Sequence, residues 1–171
     1  MIKRLFVLVA LLSAGFAMSA DIRTDFHNGM FEETKLIKIA EKNYYPSSNL
    51  VLAYRGISKT MIADHVFLPT TKLGYFNDGK ADLENAIKTE PNNPELRYLR
   101  LLVQLNSPFF LGYSSNISSD VTIFVNNLKD FNISEYWKIK FIDNLLGTTN
   151  LFASDTLTAE QKNKIRALKT K

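Results

Sequence analysis

The chain has 171 residues, 46% of them hydrophobic and 22% charged, with a formal net charge of +4 and no cysteine. That is a globular composition rather than a disordered one, and it excludes a disulfide framework, a Cys-ligated zinc or iron–sulfur centre, a thiol nucleophile and a lipidated N-terminal cysteine. Seven Gly and five Pro are few against an average near ~12% for the two together, so long helices are expected and many-stranded folds are not.

The first twenty residues read as a cleaved signal peptide. Lys3 and Arg4 form a basic n-region, Leu5 to Phe16 is an apolar run of 12 residues, and Ala17-Met18-Ser19-Ala20 supplies small residues for cleavage after Ser19 or Ala20. A spanning helix needs ~20 apolar residues, more than this run offers. No later segment is apolar enough to span, so the mature chain is expected to lack a transmembrane segment and to be exported, periplasmic or extracellular. Without Lys3 and Arg4 the balance is 19 basic against 17 acidic residues, and no nucleic-acid partner is implied. Residues 21–171 have the length of a single domain.

Amphipathic helices follow one another along the mature chain. From Thr24 to about Tyr44, Phe26, Met30, Ile37, Ala40 and Tyr44 recur at helical steps. Pro46-Ser47-Ser48-Asn49 breaks and recaps the chain, and Leu50, Tyr54, Ile57 and Met61 mark the next stripe. Its other face carries Ala53, Gly56 and Ala63, which would let a partner helix approach closely and gives Gly56 a reason to sit in a helix at a cost of ~1 kcal/mol relative to Ala. Pro69-Thr70-Thr71 opens a third helix with Leu73, Phe76, Leu83, Ala86 and Ile87 on its apolar side, ending at Pro91.

The clearest start signal is Asn93-Pro94-Glu95: a capping Asn, a Pro where no N–H is needed and a Glu facing the positive helix end. Leu96 to Leu105 is apolar almost all round, with Arg97, Arg100 and Gln104 on a narrow polar strip, and should be the most buried helix. After an irregular aromatic segment, Ser118-Ser119-Asp120 starts a helix through Leu128, preferred over a strand built on the alternating Val121, Ile123 and Val125. Ile133, Trp137, Phe141 and Leu145 line another helix that stops at Gly147. Thr158-Ala159-Glu160-Gln161 reads as a capping box opening a last, lysine-rich helix.

At Ala86-Ile87-Lys88-Thr89-Glu90-Pro91-Asn92-Asn93-Pro94-Glu95-Leu96 the chain resembles the junction of consecutive tetratricopeptide repeats, with a weaker echo from Ala40 to Leu52. Pro46 and Pro91 lie 45 residues apart where a regular repeat spans ~34, which points to a degenerate or enlarged unit. From Leu50 to Leu168, through Lys59-Thr60-Met61, Glu90-Pro91-Asn92-Asn93, Leu96-Arg97-Tyr98-Leu99-Arg100 and Phe110-Leu111-Gly112-Tyr113, the sequence is similar to a group of uncharacterised exported helical-repeat-like proteins of Bacteroidetes-type bacteria. The resemblance implies an all-α fold of antiparallel helix pairs, about seven helices stacked as a short, degenerate tetratricopeptide-like solenoid with a C-terminal capping helix. It also implies an envelope or extracellular address, and brings no catalytic residues with it.

Chemical motifs give way to plainer readings. Gly74-Tyr75-Phe76-Asn77-Asp78-Gly79-Lys80-Ala81 fits part of a phosphate-binding loop, but Ala81 stands where a Ser or Thr should hold magnesium, and no parallel-strand run precedes Gly74. His27 and His65 lack a nearby ligand pattern and read as surface or helix-end residues. Asp78 and Asp82, one helical turn apart beside Lys80 and Glu84, read as a solvated face. No serine sits in a nucleophile motif. Asn116-Ile117-Ser118 and Asn132-Ile133-Ser134 are formal glycosylation acceptors that read as cap residues in a bacterial chain.

The segment Phe109 to Tyr113 is expected to plug the gap between helix pairs. Exposed, it would join Arg97, Tyr98 and Arg100 of the preceding helix in a partner-binding patch made of Arg97, Tyr98, Arg100, Phe109, Phe110 and Tyr113. Arg97 and Arg100 equally suit an interhelical salt-bridge strip. The expected function is non-catalytic and cofactor-free: binding of a protein or peptide in a groove between helix pairs, in the envelope or outside the cell. The alternative is a carrier of a small apolar ligand in a cavity lined by Phe76, Phe109, Phe110, Tyr113 and Trp137.

Overall fold

The computed structural model describes residues 22–41, 45–148 and 157–170. The signal peptide read at residues 1–20 lies outside them, as does Tyr44. The described residues form eight α-helices and no β-strand, so the chain is all-α. None of these helices is long and apolar enough to cross a membrane.

Helix α1 covers residues 22–29 and α2 covers Glu33–Ala40. The single helix expected from Thr24 to Tyr44 is therefore broken, by a turn in which the Glu32 amide donates to the Gly29 carbonyl at 2.8 Å. The break resets the helical phase. Leu36 and Ile39 face inward, while Ile37 is exposed. Helix α3, Asn49–Ile62, starts where the Ser48 hydroxyl accepts the Val51 amide at 3.1 Å. Helix α4 is Pro69–Thr89 and α5 is Pro94–Asn106, the latter capped by Asn93 with Pro94 in its first turn. A 3-10 turn at Phe109–Leu111 leads through Gly112, whose φ of 59° is the one left-handed backbone angle among the described residues. Helix α6, Ile117–Asn127, decides the Val121-Ile123-Val125 ambiguity in favour of helix. Helix α7 is Glu135–Gly147, and α8, Ala159–Arg166, carries the expected capping box between Thr158 and Gln161 before a closing 3-10 turn, Ala167–Thr170.

The chain divides into two compact units, one up to Glu84 and one from Asn85 on, with the boundary inside α4. In the first unit α2 packs on α3, and the Phe26 and Tyr54 rings meet edge-on at 5.3 Å. Helices α3 and α4 touch backbone to backbone: a Cβ on Gly56 would lie 2.7 Å from the Gly79 carbonyl oxygen and 2.9 Å from the Leu83 nitrogen. The small-residue face of α3 thus does what its composition indicated. Leu73, expected on the buried side of α4, is exposed, and so are Phe67 (95%) and Leu68 in the turn before it.

In the second unit α5 packs against α6 and α7, and α8 covers α6 and α7. Every residue of α5 from Pro94 to Leu105 is buried, which makes it the core helix that its all-round apolar composition predicts. Tyr98 stacks on Phe141 with ring centroids 4.2 Å apart, and its hydroxyl accepts a 2.7 Å hydrogen bond from the Asn144 amide. Burial holds the Tyr98 pKa well above that of an ordinary tyrosine, a rise only partly offset by that hydrogen bond.

Candidate functional site

The α4–α5 turn owes its shape to two side chains. Asn93 closes it locally: its Oδ1 accepts the Glu95 amide at 2.9 Å, and its Nδ2 donates to Glu90 Oε2 at 2.7 Å. Arg97, buried one turn into α5, reaches back and donates to the Pro91 carbonyl through Nε at 2.9 Å and Nη2 at 2.6 Å. Its remaining Nη1 donates to Asp120 Oδ1 at 2.9 Å. Arg100 completes the group with Nε to Asp120 Oδ2 at 2.7 Å and Nη2 to Asp120 Oδ1 at 2.6 Å. Asp120 is fully buried. A carboxylate removed from water is tolerated because it accepts charge-assisted hydrogen bonds from two guanidinium groups, one of them bidentate.

This ion-paired group fixes the turn relative to α6 and leaves a cleft of about 400 Å³ between them. One wall is the turn, residues 90–94; the other is Asn126 and Asn127 at the end of α6, followed by Asp130 and Phe131. Two of the four lining asparagines are structural: Asn93 as above, and Asn127, whose Nδ2 donates to the Ile123 carbonyl at 2.8 Å. The side chains of Asn92, Asn126 and Asp130 make no hydrogen bond within the protein, and all three are exposed. Each free amide offers two N–H donors and a carbonyl acceptor, and the carboxylate accepts only. Phe131 is half-buried, and Pro91 and Pro94 add apolar wall.

The residues singled out from the sequence take different places. Arg97, Tyr98, Arg100 and Tyr113 are buried, whereas Phe110 is 74% exposed; Phe109 belongs to the 3-10 turn. They form no common exposed patch: Arg97 and Arg100 are the interhelical salt-bridge strip, and Tyr98 is core. Of the residues named for a ligand cavity, Phe76 is in the first unit and the other four in the second; Trp137 lies against Phe141 at 6.1 Å. Sequence reasoning missed Asn92, Asn126, Asp130 and Phe131 as a group. The asparagine doublets were visible, but nothing local says that the two turns face each other.

Other motifs settle into structural roles. Gly74 to Lys80 lies wholly within α4, so the partial phosphate-loop match is a stretch of helix. Lys59 donates to Asp82 Oδ2 at 2.6 Å, tying α3 to α4. His27, expected as a surface or helix-end residue, lies in the last turn of α1 but is buried: its Nδ1 donates to the Arg23 carbonyl at 2.8 Å and its ring meets Phe26 edge-on. His65 is exposed. Among the described residues no group of three or more His, Asp and Glu side chains could hold a metal ion. No family model, curated protein or solved structure matches the chain.

Proposed function

We propose that the chain is an exported, non-catalytic binding protein of the cell envelope or extracellular space, which holds an extended segment of a protein partner in the cleft between the α4–α5 turn and the end of α6. The observation that carries this reading is the pair of free amides, Asn92 and Asn126, on opposite walls of a cleft whose frame is pinned by buried Arg97. A carboxamide presents the same donor and acceptor as a peptide group, so two of them facing one trough suit an extended backbone whose own N–H and C=O groups are unpaired. About 400 Å³ is space for a few residues, in the range of small-ligand sites. Because the frame is fixed by core hydrogen bonds, little ordering cost falls on binding.

The asparagine doublets begin 34 residues apart, the length of a tetratricopeptide repeat of ~34. That spacing supports reading the paired helices as degenerate tetratricopeptide-like units with α8 as their cap. The basic n-region, apolar run and small residues of the first twenty positions support export.

Selection of random displayed peptides on the immobilised mature protein tests the reading. Peptides should be recovered that bind the native chain and lose at least ~10-fold in affinity, about 1.4 kcal/mol, on the double substitution Asn92→Ala, Asn126→Ala. Equal binding to the double variant, with its thermal melt unchanged, would refute the assignment.

A further inference from the structure

We infer that the segment taken by this cleft is cationic, carrying lysine or arginine, an inference that rests on the peptide-binding reading above and names the chemistry of its partner. Both ionisable residues that line the cleft, Glu90 and Asp130, are acidic, and no lining residue is basic, although the chain as a whole carries a net charge of +4. Two of the nearby cations are engaged elsewhere, and Lys129, exposed and next to Asp130 in the chain, forms no ion pair with it. Arg97 spends its donors on Asp120 and the Pro91 carbonyl. Lys138, beside the cleft-side turn, donates to the Lys129 carbonyl at 2.6 Å and pairs with Glu135 at 3.7 Å, leaving the Asp130 carboxylate with no ion pair.

The arrangement favours a basic peptide over a neutral polar ligand. A neutral ligand would desolvate the Asp130 carboxylate and return no charge, whereas an ammonium or guanidinium group returns a charge-assisted hydrogen bond to it. The half-buried Phe131 ring gives the aliphatic stem of such a side chain an apolar surface, and its face attracts the cation. Asn92 and Asn126 take the backbone; Asp130, with Glu90, selects the side chain.

Fluorescence anisotropy with three labelled octapeptides of matched length tests the inference: one containing two lysines, one with serines in their place and one with glutamates. At low ionic strength the lysine peptide should bind about three- to tenfold more tightly than the serine peptide, the increment expected of one or two partly exposed ion pairs. The preference should vanish in Asp130→Lys, fall in Asp130→Asn and shrink as salt is added. Asp130 is exposed and bonds to nothing internally, so both variants should melt with the native protein. Equal affinity for the lysine and serine peptides overturns the inference while leaving peptide binding in place, and tighter binding of the glutamate peptide overturns it outright. If none of the three binds, and the displayed-peptide selection is also empty, the peptide-binding reading itself falls.

Discussion

Helix α4 contains two glycines whose replacement by alanine should act in opposite directions. At Gly74 an added Cβ meets nothing within 4 Å, so only the backbone term remains, and alanine should stabilise the helix by about 0.5–1 kcal/mol. At Gly79 the same methyl group would press on the Gly56 carbonyl oxygen, and would lie 2.7 Å from Thr60 Cγ2 and 2.8 Å from the Thr60 nitrogen. Carbon contacts settle near 3.5–4.0 Å, and two of these neighbours are helix backbone, so relief requires α3 and α4 to move apart by about 1 Å. Overpacking of this kind costs about 1–3 kcal/mol, and rigid opposing atoms place Gly79 at the upper end. Subtracting the propensity gain leaves a net loss of about 2 kcal/mol.

Urea unfolding of the mature chain followed by circular dichroism reads the difference directly. With a denaturant slope of about 2 kcal/mol/M, Gly79→Ala should lower the midpoint by about 1 M, and Gly74→Ala should raise it by about 0.3–0.5 M. A Gly79→Ala midpoint at or above that of the native chain would refute the close approach of the two helices.

Three further outcomes follow from the second unit. Asp120→Ala leaves two buried guanidinium groups without their shared carboxylate, and should cost about 3–5 kcal/mol in the same assay. Gln104 is 1% exposed, and neither its amide nitrogen nor its oxygen has a hydrogen-bond partner; Gln104→Met, which keeps the volume and removes both polar atoms, should stabilise by about 1–3 kcal/mol. Tyr98 has a pKa raised by burial, so its contribution is intact below the unfolded value of about 10 and is lost as pH rises from there toward the folded value. Native stability should therefore fall above about pH 10. Tyr98→Phe should flatten that fall while costing about 1 kcal/mol at neutral pH, where Asn144 loses its acceptor.

The helices that announce themselves in the sequence are those with explicit punctuation. Ser48 before α3, Asn93-Pro94 before α5 and the Thr158–Gln161 box before α8 each mark a helix start through a side chain that satisfies an otherwise orphaned amide. The break between α1 and α2 was hidden because Phe26, Met30, Ile37 and Ala40 happen to continue one helical phase across it; the Asn28-Gly29 pair was the turn signal that this spacing masked. Arg97 and Arg100 were legible as members of one strip, but their partner Asp120 is 20 or more residues away. Burial of the strip follows from that pairing, not from the residues alone. The cleft was least legible, because Asn92 and Asn126 gain their meaning only when α5 and α6 have packed.

Arg97 gives this chain a division of labour. The side chains that hold the trough in shape, Arg97, Asn93 and Asp120, spend their hydrogen bonds on the fold, while Asn92, Asn126 and Asp130 at its mouth support nothing else. The mouth can therefore be rewritten residue by residue to accept new guests, and the scaffold beneath it would not register the change.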